Sequence, residues 1–474
     1  MTELRFYNSL TKRVEPFQSK ERGKVRMYNC GPTVYKRPHL GNMRRFLFAD
    51  FLRRSLEYFG YEVRDITNIT DVGHLTQDDI DAGEDKLEKT AKEQKRTPAQ
   101  IAEQVTQEYF QDLSALNIQP AHLYPRATQH IPEMIEITKA LLARGHAYQT
   151  PSGIYFDVKS FPEYGKLSGN TLEKIAAGAR VEVREEKRHP ADFALWKLND
   201  PTHLQQWDSP WGKGYPGWHI ECSAMSMKYL DSEIDIHTGG EDNRFPHHEN
   251  EIAQSEGATG KPFVRLWMHN AFLKLQGQKL AKRAGEQLTV DSLKEKGFSP
   301  LAFRLLVFGG HYRTPLDFSW EAMHQAQKNL DSIKQLLRRL KEVSAKTAQA
   351  DEKTILLFSR HIADDLNTPS ALAALLNFIS VSNSMPDSFY TSPDFVGEVL
   401  ATLRRLDKVV GVVAPLEAEI EGETIPEEIK QLAEARETAR QNKQFDRADE
   451  LRGAIEAKGY RVEDTGTGPR VMKG

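Results

Sequence analysis

Phe46, Phe48, Phe51, Leu52 and Leu56 recur at helical spacing, which predicts an amphipathic helix with one apolar face. The helix begins near His39-Leu40-Gly41-Asn42. Before it, Val25-Arg26-Met27-Tyr28 reads as a buried strand and Cys30-Gly31-Pro32 as a turn. Tyr61 to Asp71 reads as the next strand. Strand, helix and strand within about 45 residues have the size of a βαβ unit, and so predict a parallel sheet. A hairpin over 3–16, turning near Asn8-Ser9, precedes this unit. A polar, acidic stretch follows over 72–95, expected to be a loop and an exposed helix. Helical patterns then occupy 98–115 and 130–145.

A second hairpin is predicted from Ala147-Tyr148-Gln149-Thr150, a Pro151-Ser152-Gly153 turn, and Ile154-Tyr155-Phe156-Asp157-Val158. The charged stretch 162–190 looks like an insertion off the main sheet. A second α/β block runs from about 215 to 260. Residues 315–412 show helical patterns only, at 320–345, 353–363, 369–381 and 393–410. An acidic linker, Glu417 to Glu428, leads to helices over 426–441 and 444–458 and a strand, Tyr460-Arg461-Val462-Glu463.

With 474 residues, 39% of them hydrophobic and 28% charged, the chain has material for two to four domains and an ample core. No apolar run approaches the ~18 residues that span a bilayer. The first eight residues carry no apolar signal segment, and no membrane partner is expected. With only two cysteines, a reducing cytoplasm is expected. A net charge of −3 argues against blanket nucleic-acid binding and leaves room for a local basic face.

Chemistry enters with the cysteines. Cys30 and Cys222 are the only two, too few for a disulfide framework. His247 and Glu251 are spaced i, i+4, so on a helix they share one face. Two cysteines, a histidine and a glutamate can hold zinc. Taken singly, each residue has a plainer reading: a small buried hydrophobe for either cysteine, a surface pair for His247 and Glu251. Their joint position near predicted sheet ends favours the metal. His39 and Asn42 stand where a strand turns into a helix, whose N-terminus offers N–H groups to phosphate. Gly41 leaves room for a flat ring against backbone. The plain alternative is an ordinary helix start. Gly239-Gly240-Glu241-Asp242 follows a strand-like run, and Asp242 can accept from ribose hydroxyls; a tight turn is the alternative. Lys279-Leu280-Ala281-Lys282-Arg283 reads as a basic loop suited to phosphate, or as a solvated basic stretch.

Together these strings resemble the class I aminoacyl-tRNA synthetases, and within them the cysteinyl-tRNA synthetase family. His39-Leu40-Gly41-Asn42 looks like the HIGH signature, and Lys279 to Arg283 occupies the place of KMSKS. Tyr28 to Tyr35, Gly217 to Met225 and Phe245 to Gln254 match the family more specifically. The likeness extends through Asp364 to Pro369 and Ala448 to Arg452. It implies one zinc on Cys30, Cys222, His247 and Glu251 that selects the substrate thiolate. Catalytic zinc usually keeps three protein ligands, so adding substrate sulfur requires five-coordination or a loosened ligand, Glu251 first. It implies L-cysteine, ATP with Mg2+, and tRNA(Cys) as partners. It places His39 and Asn42 at the phosphates, Lys282 at the pyrophosphate with Lys279 beside it, Gly41 against the nucleotide, Asp242, Gly239 and Gly240 at the ribose, and Thr70, Trp218 and His219 at the amino acid. A monomer is expected.

The implied fold is α/β: a doubly wound parallel (Rossmann-type) catalytic domain split by an insertion, then an α-helical domain and a small α/β C-terminal domain. The expected boundaries are 1–120 with 208–262 for the catalytic domain and 121–207 for the connective insertion. A stem-contact segment takes 263–315, an anticodon-side helical domain 316–415 and a terminal anticodon-binding domain 425–474. A mycothiol-pathway-type cysteine ligase shares the catalytic half but lacks the long tail. A catalytically degenerate RNA-binding paralogue would be favoured only by Leu280, Ala281 and Arg283, which depart from the second signature. The stretch Gly73-His74-Leu75-Thr76 also departs from the familiar form.

Overall fold

The computed structural model describes residues 3–77, 82–174, 186–198, 200, 203–275, 277–279, 288–341, 343, 345–422, 426–465 and 468–473. The chain forms two compact units, Met1–Ala326 with Ser359–Ser370, and Gln327–Phe358 with Ala371–Gly474.

The first unit is built on four parallel strands: β1 (Lys24–Asn29), β2 (Glu62–Thr67), β3 (Ile234–Gly240) and β4 (Val264–Asn270). Their order is β4-β3-β1-β2. Helix α1 (Leu40–Tyr58) connects β1 to β2, helix α2 (Trp218–Leu230) precedes β3, and helix α3 (Glu249–Thr259) connects β3 to β4. Strand order reverses between β1 and β3. In open α/β sheets this switch point, at the carboxyl ends of the strands, is where ligands bind. β3 is buried at all seven positions, as a central strand covered on both faces requires. β4 begins at Val264, beyond the expected end of the catalytic block at 262, because Ile234 to Gly240 pair with Val264 to Asn270.

Between β2 and α2 the chain leaves the sheet. Helices occupy Pro98–Ala115 and Ile131–Ala143. Leu123 and Arg126 bridge in parallel to Ile66 and Ile69, so this part of the expected insertion runs alongside the β2 edge. An antiparallel sheet then orders Gly214–Pro216, Phe193–Leu198, Gly153–Phe156 and Ala147–Thr150. The predicted hairpin supplies two of its strands. Phe193–Leu198 is buried throughout, so it lacks the alternation that marks a half-exposed strand. In the acidic stretch, residues Leu75–Gln77 pair with Ala82–Asp85, and the helix Lys86–Glu93 buries Leu87, Glu88 and Ala91 instead of standing exposed.

Helices Trp320–Lys341, Glu352–Ala363, Thr368–Asn383, Pro393–Val410 and Val413–Gly422 follow in sequence. In the second unit, helices Glu427–Gln441 and Phe445–Ala457 pack with the antiparallel pair Tyr460–Thr465 and Gly468–Lys473. Ile429, Ala433, Ile455 and Val462 form their core.

One buried carboxylate ties α1 to its surroundings. Asp50 accepts from Arg304 at 2.6 Å, from Arg54 at 2.8 Å and from the Gln119 amide at 2.8 Å. Arg304 is fully buried. Removing one partner of such a pair leaves an uncompensated charge, at a cost of about 3–5 kcal/mol. Asp50→Ala is therefore expected to lower the denaturant midpoint of the first unit clearly, read by tryptophan fluorescence. An unchanged midpoint would show that Arg304 finds other compensation.

Candidate active site

A cavity of about 210 Å³ opens at the carboxyl ends of the strands, at the switch point. β1 delivers Cys30 and Gly31, α1 delivers His39, Gly41, Asn42 and Arg45, the end of β2 leads to Asn68 and Thr70, α2 brings Trp218 and Cys222, and the turn after β3 brings Gly240, Asp242, Asn243 and His247.

The start of α1 serves two purposes. His39 Nδ1 accepts from the Asn42 amide and Asn42 Oδ1 accepts from the His39 amide, both at 3.2 Å. This is a reciprocal cap, so the ordinary helix-start reading is true. The same two side chains line the cavity. Capping also fixes their rotamers there.

Backbone crowding shapes the walls. A Cβ on Gly31 would lie 1.5 Å from the Asn68 carbonyl oxygen, and one on Gly239 would lie 2.4 Å from the His248 ring. No side chain fits at either place. Arg45 spans the two loops, donating to the Gly31 carbonyl at 3.0 Å and to Asn243 Oδ1 at 3.3 Å.

At the cavity wall, Cys30, Cys222 and His247, together with Glu251, bring one ligand atom each within 4.8 Å of one another, and all four are buried. His247 Nε2 is 3.1 Å from Glu251 Oε1, as the i, i+4 spacing requires. Burial lowers the His247 pKa to about 3, so its ring is a neutral donor near pH 7. A hydrogen bond from Cys30 and then burial hold the Cys222 thiol well above its ordinary value, and burial raises Cys30. A divalent cation would reverse both, because its charge favours the thiolates. Outside this set, His219 Nδ1 lies 2.8 Å from His247 Nδ1, placed to orient that ring.

A second grouping, Cys30, His237, His248 and Glu251, shares two of these residues. His237 Nε2 donates to Glu251 Oε2 at 2.9 Å. His248 Nδ1 meets His269 Nε2 at 2.8 Å, and His269 Nδ1 meets Ser9 Oγ at 2.8 Å. Burial holds the pKa of His248 and His269 well below the usual value, so this chain of rings is neutral.

Among the sequence-derived residues, Cys30, His39, Gly41, Asn42, Thr70, Trp218, Cys222, Gly240, Asp242 and His247 share the cavity wall. Glu251 sits beneath it, and His219 stands behind His247. Gly239 packs against His248. Lys279 ends a short strand pair with Lys274 opposite, while Leu280, Ala281, Lys282 and Arg283 lie outside the described residues. Sequence reading did not single out Asn68, Arg45, Asn243, His237, His248 or His269. The adjacent His247-His248 pair was the available signal for one of them. The others are isolated polar residues in otherwise regular elements.

Residues 16–328 match the tRNA synthetases class I (C) catalytic domain, and residues 423–470 match the cysteinyl-tRNA ligase anticodon binding domain. A cysteine–tRNA ligase of Thermus thermophilus is 45% identical over 98% of both chains. That of Chlorobaculum tepidum is 41% identical over 100% of this chain and 99% of its own. Mycobacterium tuberculosis methionyl-tRNA synthetase, in complex with methionyl-adenylate, superposes with a TM-score of 0.59 at 15% identity, over 84% of this chain and 92% of that one, which shows a shared fold. From its first strand to its terminal domain, the chain belongs to the cysteine–tRNA ligase family of class I synthetases.

Proposed function

We propose that this chain activates L-cysteine with ATP and transfers the cysteinyl group to the 3′ end of tRNA(Cys). One observation carries the reading: a capped helix start, a glycine turn bearing Asp242, and a thiol-rich cluster all border one cavity. In the first step a carboxylate oxygen of cysteine attacks the α-phosphorus, and the bond from that phosphorus to pyrophosphate breaks. In the second, the terminal ribose hydroxyl attacks the acyl carbon, AMP leaves with the bonding pair, and the hydroxyl proton passes to the departing phosphate or to solvent. The first step needs little acid–base chemistry, so positioning and charge stabilisation dominate it.

His39 and Asn42 face the phosphates from the N-terminus of α1, where free N–H groups favour anions, and Gly41 leaves room for the flat ring of the nucleotide. Asp242, with Gly239 and Gly240 clearing its approach, accepts from the ribose. Lys282, with Lys279, is assigned to the departing pyrophosphate, and Mg2+ accompanies the triphosphate. Trp218 and Thr70 border the amino acid, and His219 keeps the His247 ring in place.

The donor set of Cys30, Cys222, His247 and Glu251 suits zinc: two soft thiolates, a neutral imidazole and a carboxylate, all buried. Bound there, zinc supplies a soft Lewis acid that takes a thiolate far better than a hydroxyl. An apolar pocket alone separates near-isosteres by only ~1–3 kcal/mol. The terminal domain over 425–474 and the helices over 316–415 are assigned to the anticodon side, 263–315 to the acceptor stem, and 121–207 to the connective insertion. A cytoplasmic monomer fits this reading. Among the described residues no helix is long and apolar enough to cross a membrane.

The deciding assay is ATP–pyrophosphate exchange with cysteine, serine, alanine and threonine supplied separately. Exchange with cysteine alone is expected. Its absence in protein that still holds zinc would favour a degenerate RNA-binding role. Cys222→Ser is expected to lose zinc, measured by elemental analysis, and to raise KM for cysteine at least tenfold; full zinc occupancy would rule out this ligand set. Lys282→Ala is expected to lower the exchange kcat with little change in cysteine KM. An unaffected rate would move the pyrophosphate role to Lys279 or Arg283.

A further inference from the structure

Thr70 borders the cavity, and its hydroxyl is almost fully committed. A hydroxyl has one hydrogen to donate and two lone pairs to accept with. The hydrogen goes to Glu221 Oε2 at 2.9 Å, and one lone pair takes a hydrogen from Asn68 Nδ2 at 3.0 Å. One lone pair is left. Asn68 is itself fixed, because its Oδ1 accepts from the Gly31 amide at 2.7 Å.

Glu221 is fully buried on α2, between Trp218 and Cys222. Its other oxygen, Oε1, lies 2.5 Å from His74 Nε2. An ionised carboxylate only accepts, so Nε2 must donate. His74 is 4% exposed, and its Nδ1 is buried with no hydrogen-bond partner among the described residues. The placement of the ring therefore serves Glu221 at one end and leaves the other end unsatisfied, which is costly unless the site gains from it. The His74 ring also stands 6.3 Å from that of Trp218, another cavity residue.

The segment that delivers His74 is held from several sides. The Gly73 amide donates to Gln205 Oε1 at 2.7 Å, Gln205 Nε2 donates to the Asp71 carbonyl at 3.0 Å, and His203 Nε2 donates to the Gly73 carbonyl at 3.3 Å. A Cβ on Gly73 would lie 2.1 Å from Asp85 Oδ2, so the loop approaches that carboxylate as closely as backbone can. This accounts for the Gly73-His74 stretch that the family signatures leave unexplained.

We propose that His74 is a positioning residue for amino-acid selection: through Glu221 it keeps the Thr70 hydrogen turned into the protein, leaving the Thr70 oxygen as an acceptor for the α-ammonium group of the substrate. The inference rests on the reading of the cavity as the cysteine-activating site. An oxygen with its hydrogen withdrawn, backed by a carboxylate, attracts an N–H donor and has no hydrogen to offer the substrate carboxylate.

The test compares His74→Leu, His74→Gln and Thr70→Val in ATP–pyrophosphate exchange, with 3-mercaptopropionate as an inhibitor that keeps thiol and carboxylate but lacks the ammonium. His74→Leu is expected to raise KM for cysteine about tenfold, the scale of one hydrogen bond to a charged group. Its kcat should stay within about twofold, with KM for ATP unmoved. His74→Gln, whose amide N–H can replace the Nε2 donor, should recover most of the loss. The inhibition constant of 3-mercaptopropionate should not change in any variant. Thr70→Val should reproduce the selective cysteine defect, which keeps the idea testable if His74→Leu does not fold. An equal weakening of 3-mercaptopropionate, a loss confined to kcat, or a failure of His74→Gln to rescue would make His74 a structural prop. Wild-type exchange with an unchanged cysteine KM in His74→Leu overturns this inference alone. No wild-type exchange with cysteine overturns the parent reading as well.

Discussion

The parallel pairing of β1 with β3 is the contact on which the site depends. Met27, Tyr28 and Asn29 register against Ile236, His237 and Thr238. Thr238 Oγ1 donates to Asn29 Oδ1 at 2.6 Å, and the Cys30 amide donates to the Thr238 carbonyl at 3.3 Å. This register places Cys30 over the turn that carries His247. A slip by one residue would turn every side chain of either strand to the opposite face. Cys30 would leave the cluster, and Tyr28, fully buried now, would change sides. The cavity, the cluster and the glycine turn all follow from one short stretch of ladder.

Polar groups in this core are satisfied chiefly by one another. His219 meets His247, His237 meets Glu251, His248 meets His269, and Glu221 takes both Thr70 and His74. Unpaired, each such group would cost on the order of 1–3 kcal/mol. Paired, they form a network in which the position of each atom depends on several others. Asp50 with Arg304 and Arg54 applies the same principle on the far side of α1, where packing rather than chemistry is at stake.

Long periodic elements were legible from residues alone. The helix over Pro98–Ala115 has the predicted bounds, and the terminal helices and strand lie within a residue or two of expectation. Phe193–Leu198 was not legible, because a strand buried on both faces shows no alternation and this one follows a charged stretch. The exposed helix expected after residue 72 proved partly buried, since tertiary packing of Leu87 and Ala91 overrides a polar average. At the site, residues carried in dense strings such as Cys30, His39, Cys222 and His247 could be named in advance. His74, Glu221 and Asn68 could not, because their partners lie far away along the chain: 147 positions separate His74 from Glu221, and 37 separate Asn68 from Gly31. The helix start at His39 offered two readings, cap or ligand site, and geometry joins them: the cap is what holds the side chains at the cavity.

The switch-point topology also sets a timetable. Cys30 meets His248 across 218 positions of sequence. A ribosome adding about 5–20 residues per second needs roughly 10–40 s to cover that distance. Until Ile234–Gly240 is made, the nascent chain carries β1 and α1 with no β3 to pair with. Until Cys222 is added its first cysteine waits as a lone thiol, and no four-ligand metal cage can close around it before Glu251. A metal added early has only one of its protein ligands to find. The ligand set is thus incomplete until Glu251 is added, a little past the midpoint of the chain, and the first half of the message makes a strand and a thiol whose partners it does not encode in full.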